Sequence, residues 1–320
     1  RRDSGRHRNG SVGRRGVKRI VQCVPNFSEG RRQDVIDSIV AAMTHTPGAQ
    51  VLDAQSDLDH NRSVVTLVGG PQAVADAVFH GIARAAELID MNHHRGAHPR
   101  MGATDVVPFV PVRNLTLDDC AALARQLGDR VGTELGIPVY LYESAASRPD
   151  RHNLAQVRRG EYEGLSKEIG TDPDRLPDFG PASMGTAGAT AIGARFPLVA
   201  FNVYLNTDDV ATAKAIARAV RHSSGGLRCV KALGLLVEGQ AQVSMNLTNY
   251  RLTPIHRVVE LIRAEADRFG VSVIRSEVVG LLPAEALLNA AQFYLQLHGF
   301  RPEQVLENRL SDDASVGELG

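Results

Sequence analysis

The sequence predicts an α/β (α+β) protein built from two ferredoxin-like βαββαβ subdomains facing each other across a ligand cleft. Three observations predict it. Strand-like and helix-like runs alternate along the chain, and the order β-α-β-β-α-β occurs twice. Between the two occurrences lies residues 144–187, a stretch rich in Pro, Gly, Arg and Asp with little periodicity. Two similar layers make a cleft, and clefts between domains are where small ligands usually bind.

Taken in order, Arg19–Val24 reads as a strand. Gln33–Thr46 carries Val35, Ile36, Ile39, Val40 and Met43 at helical spacing and is stopped by Pro47-Gly48. Gln50–Ala54 and Ser63–Gly69 are β-rich. A helix follows from Pro71 to about Asp90, with proline at a permitted first-turn position, and Val106–Val112 is again a strand. A helix over Thr116–Leu135 and a strand over Pro138–Tyr142 extend this half. Residues 144–187, with a short helix near Leu154–Arg159, read as the connection between halves. The second half gives strand Leu198–Leu205, helix Asp208–Arg221, strands Val230–Val237 and Gln242–Leu247, helix Pro254–Phe269, strand Val271–Val279 and helix Ala284–Leu297. The expected boundaries are a disordered basic tail over 1–18, subdomains over 19–180 and 181–305, and a flexible tail over 306–320.

Composition narrows the function classes. Lys+Arg and Asp+Glu both total 36, but residues 1–19 hold eight Lys/Arg against Asp3 alone, so the remainder is net acidic by seven. An acidic body argues against nucleic acid as partner. No apolar run is long enough to span a membrane. Cys23, Cys120 and Cys229 are scattered, which fits neither a disulfide framework nor a zinc site, and a reducing cytoplasm is expected.

The densest polar constellation is Met91–Asp105, MNHHRGAHPRMGATD, a loop before a strand. Gly96 and Gly102 allow close backbone approach to a ligand, and Pro99 biases His98 towards an extended conformation. Arg95 and Arg100 suit carboxylate recognition, and flanking His98 they should depress its pKa by like-charge repulsion. A neutral His98 accepts a proton near pH 7. His93 and His94 read as solvated loop residues. His94 and His98 have i,i+4 spacing, but Gly96 and Pro99 break the helix a zinc pair needs, so no metal is expected.

Other clusters are weaker. Asp57, Asp59 and Asn61 open like a calcium loop, but Arg62 and Val68 stand where Gly and Glu are required. The cluster reads either as an Asx-rich turn or as Asp53, Asp57, Asn61 and Arg62 facing the cleft of His98. Pro25–Gly30 is a turn or a helix-N-terminal anion site, which Glu29 opposes. Gly185–Arg195, GTAGATAIGAR, enters the second half's first strand and either packs the halves together or offers amides to a flat ligand.

These motifs, in order, resemble the formiminotransferase domain family. They are VPNFSEG (24–30), DHNRS (59–63), GAHPRMGATDVVPFVPV (96–112), PVYLYE (138–143), GEYEGL (160–165), PDFGP (177–181), GATAIGAR (188–195), VSMNLTNY (243–250) and GLLPAEALLNAA (280–291). The resemblance covers residues from about 19 to 300. It implies two subdomains flanking a tunnel-like cleft and the transfer of a formimino group from N-formimino-L-glutamate to N5 of tetrahydrofolate, the co-substrate. The products are 5-formiminotetrahydrofolate and L-glutamate, as in histidine degradation. His98 is then catalytic. The implied substrate and folate set is Gly180, Pro181, Ala182, Ser183, Met184, Gly185, Thr186, Ala187 and Gly188 with Asn26, Asp53, Arg62, Arg95, Arg100, Asp105, Arg195 and Asn246. Arg62, Arg95, Arg100 and Arg195 are the candidates for carboxylates. A homodimer and a separate cyclodeaminase are expected. Two departures stand out: Gln55 occupies a position where relatives often have Asp, so Asp53, Asp57 or Asp105 would have to orient His98, and the Ser183–Ala187 loop lacks an aromatic residue. The competing readings are formyl rather than formimino transfer, a non-catalytic folate-binding protein and, weakest, a metal-dependent hydrolase.

Overall fold

The computed structural model describes residues 19–310 apart from Asp59 and Ala97, so the tail over 1–18 and residues 311–320 lie outside the described residues. The chain divides into two compact units between Arg195 and Phe196.

The first unit begins with β1 (Ile20–Cys23) and β2 (Asn26–Phe27), two pieces of one central strand interrupted at Val24-Pro25, where proline has no N–H to offer the ladder. Then follow α1 (Gln33–Thr44), β3 (Ala49–Asp57), β4 (Arg62–Gly69), α2 (Pro71–Leu88), β5 (Thr104–Arg113), α3 (Leu117–Glu134) and β6 (Val139–Glu143). After the short helices α4 (Leu154–Val157) and α5 (Glu161–Glu168), β7 (Thr190–Ala194) closes the unit. Strands run β3-β4-β1-β5, all antiparallel, which is the 2-3-1-4 order of a ferredoxin-like βαββαβ unit. β7 and then β6 extend the sheet in parallel beyond β5. Parallel strands are covered on both faces, and β7 is accordingly buried along its whole length.

The second unit repeats the plan with β8 (Val199–Leu205), α6 (Val210–Val220), β9 (Val230–Val237), β10 (Gln240–Leu247), α7 (Ile255–Arg268) and β11 (Val273–Val279). Its order β11-β8-β10-β9 is again 4-1-3-2. α8 (Ala284–Tyr294) and α9 (Leu306–Leu310) follow, so 306–310 is helical where a flexible tail is expected from sequence.

Two further expectations are corrected. GATAIGAR does not begin the second half, because β7 is hydrogen-bonded between β5 and β6; the unit boundary falls after Arg195, not after Gly180. Residues 144–187 are also more than a connection. Val157, Leu165 and Ile169 pack on Val106, Tyr140, Tyr142 and Ala191, the face of the sheet opposite its main core. The alternation along β5 and β6 explains this. Val107, Phe109, Val139 and Leu141 face the helices, while Val106, Tyr140 and Tyr142 point the other way. Buried Arg151 and Arg175 tie this strap down: Arg151 pairs with Asp178, and Arg175 donates to the carbonyls of Val157 and Arg159 at 3.3 and 2.8 Å.

Candidate active site

Three loops meet beside the first sheet: Ser28–Gly30 after β2, the turn between β3 and β4, and the segment that joins α2 to β5.

The loops are held by backbone groups. Ser28 donates its amide to the Ala103 carbonyl (2.9 Å) and its hydroxyl to the Gly102 carbonyl (2.8 Å). Asn61 sits at φ 49°, a left-handed conformation that Asn tolerates. Its side chain accepts from the Gly30 amide and donates to the Arg95 carbonyl, both at 2.9 Å. Within the same turn Asp57 accepts from the His60 amide, three residues on, at 2.7 Å. Glu29 is buried and accepts from the Arg31 and Arg32 amides at 2.9 and 3.0 Å, so it occupies the anion position at the start of α1. Burial pushes its carboxyl up, but those amides together with the Arg32 guanidinium outweigh the effect and hold it below the usual range.

Gly180–Gly188 is brought onto the His98 loop. Ala103 donates to the Ala187 carbonyl (2.8 Å), Ala189 to Met101 (3.1 Å) and Met91 to Thr186 (2.8 Å). Gly102 and Gly188 pass so closely that a Cβ on Gly102 would lie 2.2 Å from the Ala189 carbonyl oxygen. Residues 180–183, 185 and 186 are exposed beside this contact, with Met184 and Ala187 half-buried.

His98 is half-buried. Its Nδ1 lies 2.6 Å from the Pro99 carbonyl and 2.8 Å from the Arg62 terminal nitrogen that also contacts Nε2; the carbonyl only accepts, which assigns the proton to Nδ1. Nε2 then holds the lone pair, and the Arg62 guanidinium, which only donates, contacts it. His60 meets the ring edge-on with centroids 6.1 Å apart. Burial first, then the charges of Arg62 and Arg158, bring the imidazole down to about 3 against the weaker pull of the Pro99 carbonyl. The direction agrees with the sequence expectation, but the cause differs. Arg100 is buried and its charge is taken by Glu163 (2.5 and 2.9 Å) and Glu161 (3.1 Å), while Arg95 is exposed and donates to the carbonyl of His94 at 2.7 Å.

The remaining candidates separate clearly. Asp105 is buried, accepts from the Met101 amide at 3.0 Å and pairs with Arg158 from the strap. Among the described residues no carboxylate bonds His98, so the Pro99 carbonyl orients the ring instead of Asp53, Asp57 or Asp105. Asp53 and Gln55 lie on edge strand β3 opposite Thr66 and Val64. Asn26 is buried and accepts from Arg62. Arg195 ends β7 with its amide on the Phe109 carbonyl at 3.0 Å. Asn246 is exposed on β10 of the second unit. His94 is not solvated: it is buried, donating from Nε2 to the Asn61 carbonyl (3.0 Å) and accepting from Arg100 at Nδ1 (3.2 Å). His93 is exposed, as expected. Sequence reading misses Arg158 and His60; the only signal for either was His60 within DHNRS.

Among the described residues no group of three or more His, Cys, Asp or Glu side chains is arranged to hold a metal ion, and no helix is long and apolar enough to cross a membrane.

Residues 20–195 match the formiminotransferase domain, N-terminal subdomain, and residues 200–308 match the formiminotransferase domain. A glutamate formimidoyltransferase of Thermoplasma acidophilum is 50% identical over 301 residues, covering 93% of this chain and 99% of its own. One from Streptococcus pyogenes serotype M1 is 49% identical over 298 residues, covering 92% and 99%. The formimidoyltransferase-cyclodeaminase of Mus musculus is 43% identical over 288 residues, 87% of this chain and 53% of its own.

Proposed function

The chain belongs to the formiminotransferase family and is a transferase, and on that premise we propose that it moves the formimino group of N-formimino-L-glutamate to N5 of tetrahydrofolate. N5 attacks the formimino carbon to give a tetrahedral diamino intermediate. His98 takes the N5 proton at Nε2 and returns it to the glutamate nitrogen as the carbon–nitrogen bond to glutamate breaks. The products are 5-formiminotetrahydrofolate and L-glutamate, and His98 ends as it began.

The observation that carries this reading is the state of His98: its Nδ1–H is fixed on the Pro99 carbonyl, leaving Nε2 as a lone pair in a half-buried, cation-lined position. Acid–base work of this kind contributes about 10²–10⁴-fold. The amidine is protonated near neutrality and needs little further activation, so positioning supplies much of the remaining rate. The exposed Gly180–Thr186 stretch, anchored beside His98, is the segment we assign to folate.

The test mixes purified protein with tetrahydrofolate and N-formimino-L-glutamate, acidifies, and reads methenyltetrahydrofolate absorbance. H98A and an N-formyl-L-glutamate donor run alongside. A signal that needs both the formimino donor and His98 supports the proposal. Equal turnover of the formyl donor replaces formimino with formyl transfer. Folate binding without turnover of either donor leaves a folate-binding protein.

A further inference from the structure

Three arginines other than Arg62 surround the His98 loop, and each is either paired or exposed. Arg100 is held by Glu161 and Glu163, Arg158 by Asp105, and Arg95 is exposed. Arg62 differs. Among the described residues it forms no ion pair, its Nε is buried without a hydrogen-bond partner, and its two terminal nitrogens reach Asn26 and His98. Arg62 is half-buried, and a guanidinium with a buried Nε and no carboxylate in contact carries a desolvation cost that the Asp105 charge only partly offsets and an incoming anion relieves. Burial lowers it to about 10, so it is still charged at neutral pH.

Chemistry selects the anion. In the transfer proposed above, on which this inference rests, His98 delivers a proton to the donor's departing nitrogen. The α-carboxylate sits on the carbon bonded to that nitrogen, whereas the side-chain carboxylate is three carbons away. We propose that Arg62 binds the α-carboxylate of the donor amino acid and thereby selects an amino acid over a simple amine.

A consequence follows for the base. The groups facing His98 are Arg62, Arg158 with its partner Asp105, His60 with its partner Asp57, and the Pro99 carbonyl. Only the Arg62 charge is open to neutralisation by substrate. Docking a carboxylate there removes one of the cations that hold His98 down, so donor binding makes Nε2 more basic.

The test follows the His98 ring by NMR during pH titration of the full chain, using L-glutamate and γ-aminobutyrate, which lacks the α-carboxylate, as probes. L-glutamate is expected to raise the His98 midpoint and γ-aminobutyrate to leave it in place. R62Q should start from a raised midpoint and not respond to L-glutamate. R62K, which keeps the charge but not the fork, should keep the low midpoint. Both variants should bind tetrahydrofolate normally and raise the KM for the formimino donor on the order of 10²-fold in R62Q. An unchanged donor KM and an unchanged glutamate response in folded R62Q would overturn the assignment. Failure of the wild type to turn over any donor removes the transfer reading, while the glutamate titration still judges Arg62 on its own.

Discussion

His94 and His98 lie four residues apart on the loop between α2 and β5, and they meet opposite environments. Both ring nitrogens of His94 are committed, one to the Asn61 carbonyl and one to Arg100, whose charge is held in turn by Glu163. His98 commits one nitrogen to a carbonyl and leaves the other against a cation. Burial depresses both imidazoles, so depression alone does not mark the reactive one. What distinguishes them is the arginine on the lone pair: Arg100 is itself tied to Glu161 and Glu163, whereas Arg62 has no carboxylate in contact among the described residues. Within one loop, the first half anchors and the second half is left able to react.

The largest expected effect tests the reactive half. H98A should lower turnover by about 10²–10⁴-fold with an unchanged melting temperature, measured by the acidified absorbance assay and calorimetry. Unchanged turnover would end the catalytic assignment. Gly102→Ala tests the backbone contact on which both halves rest. Its Cβ would press on the carbonyl oxygens of Ala189 and Ala187, which belong to the backbone and cannot rotate away, so a loss of about 3 kcal/mol is expected from denaturant unfolding.

The anchored half should show the reverse pattern to His98. H94A strands the Arg100 Nε and the Asn61 carbonyl, and should cost about 1–3 kcal/mol of stability. If H94A proves stable but inactive, the contrast between the two histidines is wrong. Glu163→Gln removes one partner of a partly exposed pair and should cost about 0.5–1 kcal/mol, reduced by added salt.

The smallest effect is in pH. An imidazole held near 3 when folded and near its ordinary value when unfolded makes the unfolded chain bind the extra proton between those limits. Stability is therefore lost as pH falls from about 6.5 towards 3, and H98N should flatten that slope. An identical slope in H98N would mean that His98 titrates normally in the folded chain.

Much of this was legible in the sequence, but unevenly. The repeated β-α-β-β-α-β order survives because hydrophobic period is local, and both units adopt the 4-1-3-2 arrangement. The HPRMG loop was legible because Gly and Pro restrict backbone choice over a few residues. Ser144–Ala187 was not: its hydrophobic residues Val157, Leu165 and Ile169 are sparse, and its buried arginines look solvated in sequence because their partners, such as Asp178, lie far along the chain. GATAIGAR reads in sequence as the entry to the second half and is instead a strand of the first sheet, for a related reason. A short apolar run shows that it is buried, not which sheet buries it.

The sequence by itself determined the fold class, the family resemblance and the loop that carries His98, since each is assembled from motifs and periodicities that are local in the chain. Only the tertiary structure decided which arginine is paired and which is open, because an ion pair is a property of distance in space. Arg100 is paired with Glu161 and Glu163, which lie more than sixty residues along the chain from it. Arg62, one basic residue among thirty-six Lys and Arg, is distinctive only through its buried Nε, the lack of an ion pair among the described residues and its contact with His98.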